Sequence, residues 1–165
     1  MAITDVKSGT HITAMRRKAA ERPLPPAADQ AARFARQREA DRTATAEDYV
    51  ELIADLLREE GEARSVDIAR RMGISQATVT ATVGRLQRDG LIETKPYRGL
   101  FLTAAGQEMA AAAKARHELL VRFLIAVGLD PKTAEEDAEG LEHHASDKAL
   151  SAFARFLAEQ DEDGR

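Results

Sequence analysis

The first 25 or so residues show no apolar periodicity and close in Pro23-Leu24-Pro25-Pro26. A polar stretch that ends in clustered prolines predicts an arm outside any core. Residues 28–41 are mostly Ala, Gln, Arg and Glu, all strong helix formers, yet Phe34 is nearly their only large apolar side chain. They predict an appended helix that buries little. A true periodicity starts after Thr45-Ala46-Glu47-Asp48, where Thr45 and Asp48 have the spacing of a capping arrangement. From there Tyr49, Leu52, Ile53, Leu56 and Leu57 recur at helical spacing until Gly61.

A second, short helix carries Val66, Ile68, Ala69 and Met72 and stops at Gly73. Ser75 then caps a third helix, whose apolar face is Val79, Val83 and Leu86 and which closes at Gly90. Residues 91–94 and 100–103 read as two short strands around Lys95-Pro96-Tyr97-Arg98-Gly99. Three helices followed by a hairpin with a basic tip are the plan of a winged helix. Beyond Thr103 the pattern is helical throughout. One long helix runs to Val127, Gly128 breaks it, and Asp130-Pro131 opens the next, which holds Ala138, Glu139, Leu141, Glu142 and His143. A last helix carries Leu150, Phe153, Phe156 and Leu157. The expected fold is therefore mainly α. An N-terminal arm (1–44) leads into a winged helix-turn-helix domain (45–104), an all-helical metal-binding and dimerisation domain (105–158) and an acidic tail (159–165).

Composition narrows the chemistry. The 165 residues suffice for one domain or two small ones and contain no cysteine, which removes disulfides, thiolate catalysis and sulfur-ligated metal sites. No apolar run approaches the ~20 residues of a membrane span, and the amino terminus lacks the hydrophobic region of a secretory signal. A cytoplasmic location is the expectation. The net charge of −4 conceals segregation by segment. Residues 64–104 hold seven basic against three acidic side chains, whereas residues 47–63 hold one against seven and residues 105–165 seven against thirteen. A basic block between acidic ones is expected where one part meets phosphate and its neighbours meet cations.

Residues 66–79 have helix-turn-helix spacing, with a small residue where the helices approach, a glycine in the turn and a polar cap on the second helix. On that helix Gln76, Thr78 and Thr80 lie away from the Val79, Val83 and Leu86 face and so point outward, with Ser75 at its start. Gln suits a bidentate contact to adenine, and Thr can bond a base or pack on a thymine methyl. Arg85 and Arg88, further along, suit phosphate. Lys95 and Arg98 in the wing suit the backbone or minor groove. The partner these residues point to is double-stranded DNA.

The segment Glu139-Gly140-Leu141-Glu142-His143-His144 carries the second chemistry. At about 100° per residue, Glu142 falls about −60° and His143 about +40° from Glu139, while His144 falls about 140° away. Three ligand-type side chains share one face and His144 does not. Elsewhere the chain offers His117 and the pair Asp48 and Glu51, one turn apart. Four carboxylates and two imidazoles without sulfur favour a borderline-to-hard divalent ion such as manganese or iron(II). Their charge would balance two such ions, and leaves a single ion with spare acid groups open. Each residue also has a plainer role: Glu139 and Glu142 as a solvated helix face, His117 as a bonded core histidine, and Asp48 as an acid near the positive start of a helix beginning at Thr45.

These residues together resemble the manganese transport regulators of the diphtheria-toxin-repressor-like superfamily. The matching pieces are Glu47-Asp48-Tyr49-Val50-Glu51, the helix-turn-helix over residues 66–83, Tyr97-Arg98-Gly99-Leu100-Phe101-Leu102-Thr103, Arg116-His117-Glu118-Leu119-Leu120 and Glu139-Gly140-Leu141-Glu142-His143-His144. The resemblance spans about residues 45–157. It implies manganese ligands at Asp48, Glu51, His117, Glu139, Glu142 and His143, so the expected cofactor is Mn2+, two ions per subunit on the charge balance above. It also implies a homodimer held by its second domain, a palindromic operator, and targets in manganese uptake or efflux. Iron-responsive relatives carry sulfur-containing ligands where Asp48 and Glu139 stand, and often a third, SH3-like domain. Neither is present here, which favours manganese. The expected protein is thus a regulator rather than an enzyme. A metal-dependent hydrolase would leave the wing and recognition helix without purpose, and no His-Glu-x-x-His motif is present. The competing functions of the same fold are an iron-responsive regulator and a winged-helix regulator that senses no metal.

Overall fold

The computed structural model describes residues 24–95 and 99–163. The arm's basic residues Arg16, Arg17, Lys18 and Arg22, which the sequence offers as further DNA contacts, and Arg98 lie outside the described residues. Among the described residues, six helices and one hairpin follow in order: α1 (Ala27–Glu59), α2 (Ser65–Met72), α3 (Gln76–Arg88), β1 (Ile92–Lys95), β2 (Gly99–Leu102), α4 (Ala104–Ala126), α5 (Pro131–Leu141) and α6 (Asp147–Asp163). The chain divides into the units Met1–Gln37 and Arg38–Arg165, and the second contains both cores and the candidate site.

Two expectations need correction. The helix bearing Asp48 does not begin at Thr45, because α1 runs unbroken through residues 41–46. No Gly or Pro interrupts that segment. The Thr45 hydroxyl expected to cap bonds backward instead, to the Asp41 carbonyl at 2.9 Å, and Thr43 does the same to the Glu39 carbonyl at 3.2 Å, as helical Ser and Thr side chains can. Asp48 therefore lies deep inside a helix, and attraction to a positive helix start no longer accounts for it. At the other end, Glu159 and the acidic residues up to Asp163 continue α6 rather than forming a separate tail.

The winged-helix core gathers Tyr49, Val50, Ile53 and Leu56 of α1, Ile68 of α2, Val79, Val83 and Leu86 of α3, and Ile92, Leu100 and Leu102 of the hairpin. Gly73 ends α2 in the left-handed region at φ 68°, and Ser75 Oγ accepts the Thr78 amide at 3.1 Å to start α3. The antiparallel hairpin pairs Ile92 with Leu102 and Lys95 with Gly99. Ala63 extends it by accepting the Leu100 amide at 2.8 Å.

The hairpin passes directly into α4 through Thr103, whose hydroxyl donates to the Gly90 carbonyl at 2.6 Å and accepts the Gly106 amide at 3.1 Å. Gly106 is required here, since a Cβ at this position would lie 2.0 Å from the Leu91 carbonyl oxygen. A second core forms around Leu120 and Leu124 of α4 with Ala134 and Ala138 of α5, and Phe153 of α6 packs against it. Phe123 stacks on Phe153 with ring centroids 4.1 Å apart.

Candidate metal centre and nucleic-acid interface

The six ligand-type residues come from three places. Asp48 and Glu51 lie on α1, next to the residues that fill the winged-helix core. His117 lies on α4 and Glu139 on α5. Glu142 and His143 occupy the turn that follows α5. Helical backbone persists at Glu142 (φ −60°, ψ −35°), whose amide still bonds to the Ala138 carbonyl at 2.9 Å. The helical spacing of residues 139–143 therefore holds although α5 ends at Leu141, and His144 is exposed, away from the group.

The structure brings all six together. Asp48, Glu51, His117, Glu139 and Glu142 line one cavity of about 570 Å³. His143 is outside that lining and joins the group through Nε2, 3.1 Å from Asp48 Oδ1 and 3.3 Å from Glu142 Oε1. His117 Nδ1 lies 2.8 Å from Glu142 Oε2 and 3.9 Å from a Glu139 oxygen. Potential donor atoms of His117, Glu139 and Glu142 all lie within 4.8 Å of one another. Glu142, only 3% exposed, thus gives one oxygen to each imidazole.

Electrostatics follow from this crowding. Burial, reinforced by the Glu142 charge and offset in part by His143, pushes the Glu51 carboxyl up to about 7. Burial likewise raises Asp48 and Glu142, against the favourable pull of the histidines. Burial alone would lower the histidines, but the bonds of His117 to Glu135 and Glu142, and those of His143 to Glu47 and its neighbours, outweigh it and raise both. Every resolved shift in the group favours holding a proton.

Three members were not anticipated. Glu47, 7% exposed, lies 2.8 Å from His143 Nδ1 through Oε2 and pairs with Arg116. Glu135 lies 2.8 Å from His117 Nε2. The signal was modest but present: Glu135 precedes Glu139 by four residues, one helical turn, and Arg116 adjoins His117.

On the DNA-reading side, Ser75, Gln76, Thr78, Thr80 and Arg88 are exposed on α3 or at its start. Ser75 and Thr78 share a hydroxyl contact of 2.8 Å, and the Thr80 hydroxyl donates to the Gln76 carbonyl at 2.9 Å. Lys95 in the wing is exposed, 3.2 Å from Glu93 and 4.7 Å from the centre of the Phe101 ring. Arg85 differs from expectation. It is half-buried, with Nη2 enclosed and without a hydrogen-bond partner, whereas Arg88 is exposed. Arg88 is the better candidate.

Comparison with known proteins agrees with this division of labour. Residues 41–100 match the iron dependent repressor, N-terminal DNA binding domain, and residues 103–165 the iron dependent repressor, metal binding and dimerisation domain. The chain is 50% identical over 123 residues to the transcriptional regulator MntR of Escherichia coli O6:H1, covering 74% of this chain and 79% of the relative. It is 36% identical over 121 residues to the HTH-type transcriptional regulator MntR of Bacillus subtilis strain 168, covering 73% and 85%. Among solved structures, the manganese regulator SloR superposes with a TM-score of 0.61 at 29% identity over 68% of this chain. A manganese-dependent transcriptional repressor in complex with manganese gives 0.58 at 28% identity over the same share. The matches span about half the length of those two solved chains, 53% and 52%. No described helix is long and apolar enough to cross a membrane.

Proposed function

Because this chain belongs to the iron dependent repressor family, we propose that it is a manganese-responsive DNA-binding transcriptional regulator that acts as a homodimer on a palindromic operator in manganese homeostasis. Operator binding goes with a cytoplasmic location. The observation that carries the reading is the placement of Glu142, one oxygen toward each imidazole. Two pockets of nitrogen and oxygen donors thereby share one carboxylate. Asp48, Glu142 and His143 would hold one ion, and Glu139, Glu142 and His117 a second, with Glu51 beside them. The donor set fits the metal: it contains no sulfur, and it gathers carboxyls that burial raises.

Bound manganese supplies the positive charge that lets these carboxylates stay ionised side by side. The chain's own residues turn that into regulation. Asp48 and Glu51 ride on α1, whose neighbouring residues build the core that holds α3, whereas His117, Glu139, Glu142 and His143 belong to the helical part. Repulsion among the unneutralised carboxylates loosens the two parts, and neutralisation fixes their angle. In a dimer that angle sets the two α3 helices about 34 Å apart, one DNA turn. Gln76, Thr78 and Thr80 then face bases, while Ser75, Arg88 and Lys95 face the backbone. The relatives matched are regulators, and none of them favours a hydrolase.

Titration of metal-free protein with manganese, followed by a gel shift on a palindromic operator, tests the reading. About two ions per subunit and a manganese-dependent shift are expected. Absence of binding at micromolar manganese would remove the metal from the mechanism.

A further inference from the structure

Glu47 belongs to none of the ligand groups, yet it is nearly as buried as Glu142. Its two oxygens are divided. Oε1 pairs with Arg116, and Oε2 lies 2.8 Å from His143 Nδ1. Burial of an unpaired carboxylate is costly, and Arg116 pairs with this one from the side opposite His143, so that Oε2 faces Nδ1 as an acceptor. Nδ1 of His143 must then donate.

The other nitrogen is in a different position. Nε2 faces Asp48 at 3.1 Å and Glu142 at 3.3 Å. Asp48 is far more open to solvent than Glu47, with 41% of its side chain exposed against 9%. Its ion pair is with His143 itself, whereas Glu47 is also held by an arginine. The shorter contact, to the carboxyl that an arginine also holds, is on the Nδ1 side.

We infer that Glu47, held by Arg116, is a positioning residue for the metal centre: it keeps the proton of neutral His143 on Nδ1 and leaves the Nε2 lone pair facing Asp48 and Glu142. A ring nitrogen that carries a proton cannot ligate, so the tautomer decides whether His143 is a ligand at all. Arg116 adjoins His117 in sequence, so the same arginine that steadies one histidine's partner sits beside the other histidine. The link runs from α4 through Glu47 of α1 to the turn after α5. This inference rests on reading Asp48, Glu142 and His143 as ligands.

The test uses the full chain, metal-free and 15N-labelled, at alkaline pH where imidazole is neutral. Long-range proton–nitrogen spectra, with His143 assigned through His143→Asn, report which ring nitrogen is protonated. The Nδ1–H form is expected in the parent, and a neutral His143 protonated on Nε2 overturns the inference without any variant. In Glu47→Ala the bias toward Nδ1–H should vanish, and manganese affinity should fall about 10- to 100-fold, the usual cost of losing a partner behind a ligating histidine. A folded Glu47→Ala that keeps the Nδ1–H form, or binds manganese as tightly as the parent, overturns it as well. If the parent holds the Nδ1–H form but binds no manganese, the ligand reading has failed, and the tautomer result still decides what Glu47 does to His143.

Discussion

Glu142 concentrates the conflict that the site contains. It is almost fully buried, it touches both imidazoles, and its charge helps raise Glu51 to about 7. Removing it should therefore cost more than removing an outer ligand. Glu142→Gln is expected to lose tight manganese binding altogether by calorimetry, whereas Glu139→Ala should keep the half of the site built on Asp48 and His143. Both variants should fold and dimerise but lose manganese-dependent operator binding in a gel shift. A manganese response with the parental midpoint would remove these residues from the site. The sign of the pH dependence follows from the same crowding. Glu51 binds its proton more tightly folded than unfolded, so it stabilises the metal-free protein at low pH, and this contribution is lost as pH rises through about 7. Asp48, Glu142, His117 and His143 are shifted in the same direction. Metal-free protein should accordingly melt at a lower temperature at about pH 8 than at about pH 5, and Glu51→Gln should flatten that slope. Manganese uptake should release protons and tighten with rising pH, which calorimetry in buffers of different ionisation enthalpy would show.

At the scale of elements, the junction between wing and α4 is the tightest point. Thr103 ties the start of α4 to Gly90, and Gly106 lets the helix approach the Leu91 carbonyl within a distance no side chain permits. Gly106→Ala should cost about 1–3 kcal/mol in urea unfolding through overpacking. An unchanged midpoint would mean that the junction yields easily. The recognition helix carries a different expectation. Gln76→Ala should weaken discrimination between operator and unrelated DNA more than it weakens non-specific binding. Arg88→Ala should weaken both and reduce the salt dependence by about one phosphate contact. Identical behaviour of the two variants would contradict the separation of base-reading from phosphate-holding residues.

At the scale of the whole molecule, the proposed mechanism couples the metal site to the DNA surface through α1, and such coupling must be reciprocal. If manganese tightens operator binding by a given factor, operator DNA must tighten manganese by the same factor, typically worth about 1–3 kcal/mol. Manganese titrations with and without operator would measure it. Equal affinities in the two titrations would show that the metal acts on something other than the arrangement of the two parts.

Much of this protein is readable from its residues in order. Periodicities of 3.6 residues, Gly73, Ser75 and Asp130-Pro131 mark helices and caps because those signals are local. The motif around residues 139–143 is legible because ligand-type residues on one turn share a face. What the sequence left open depends on contacts between distant residues. Whether a hydroxyl at Thr45 caps a new helix or bonds back into an old one depends on whether the preceding turn is already helical. Whether Arg85 turns toward solvent or into the domain depends on the space beside α3. The partnership of Glu47 with Arg116 and His143 joins positions 69 and 96 residues apart. Local pattern therefore determined which residues are helical, which are apolar and which can ligate. Only the tertiary structure decided which carboxylates crowd together and which hold a histidine from behind, because charge and desolvation act through space rather than along the chain.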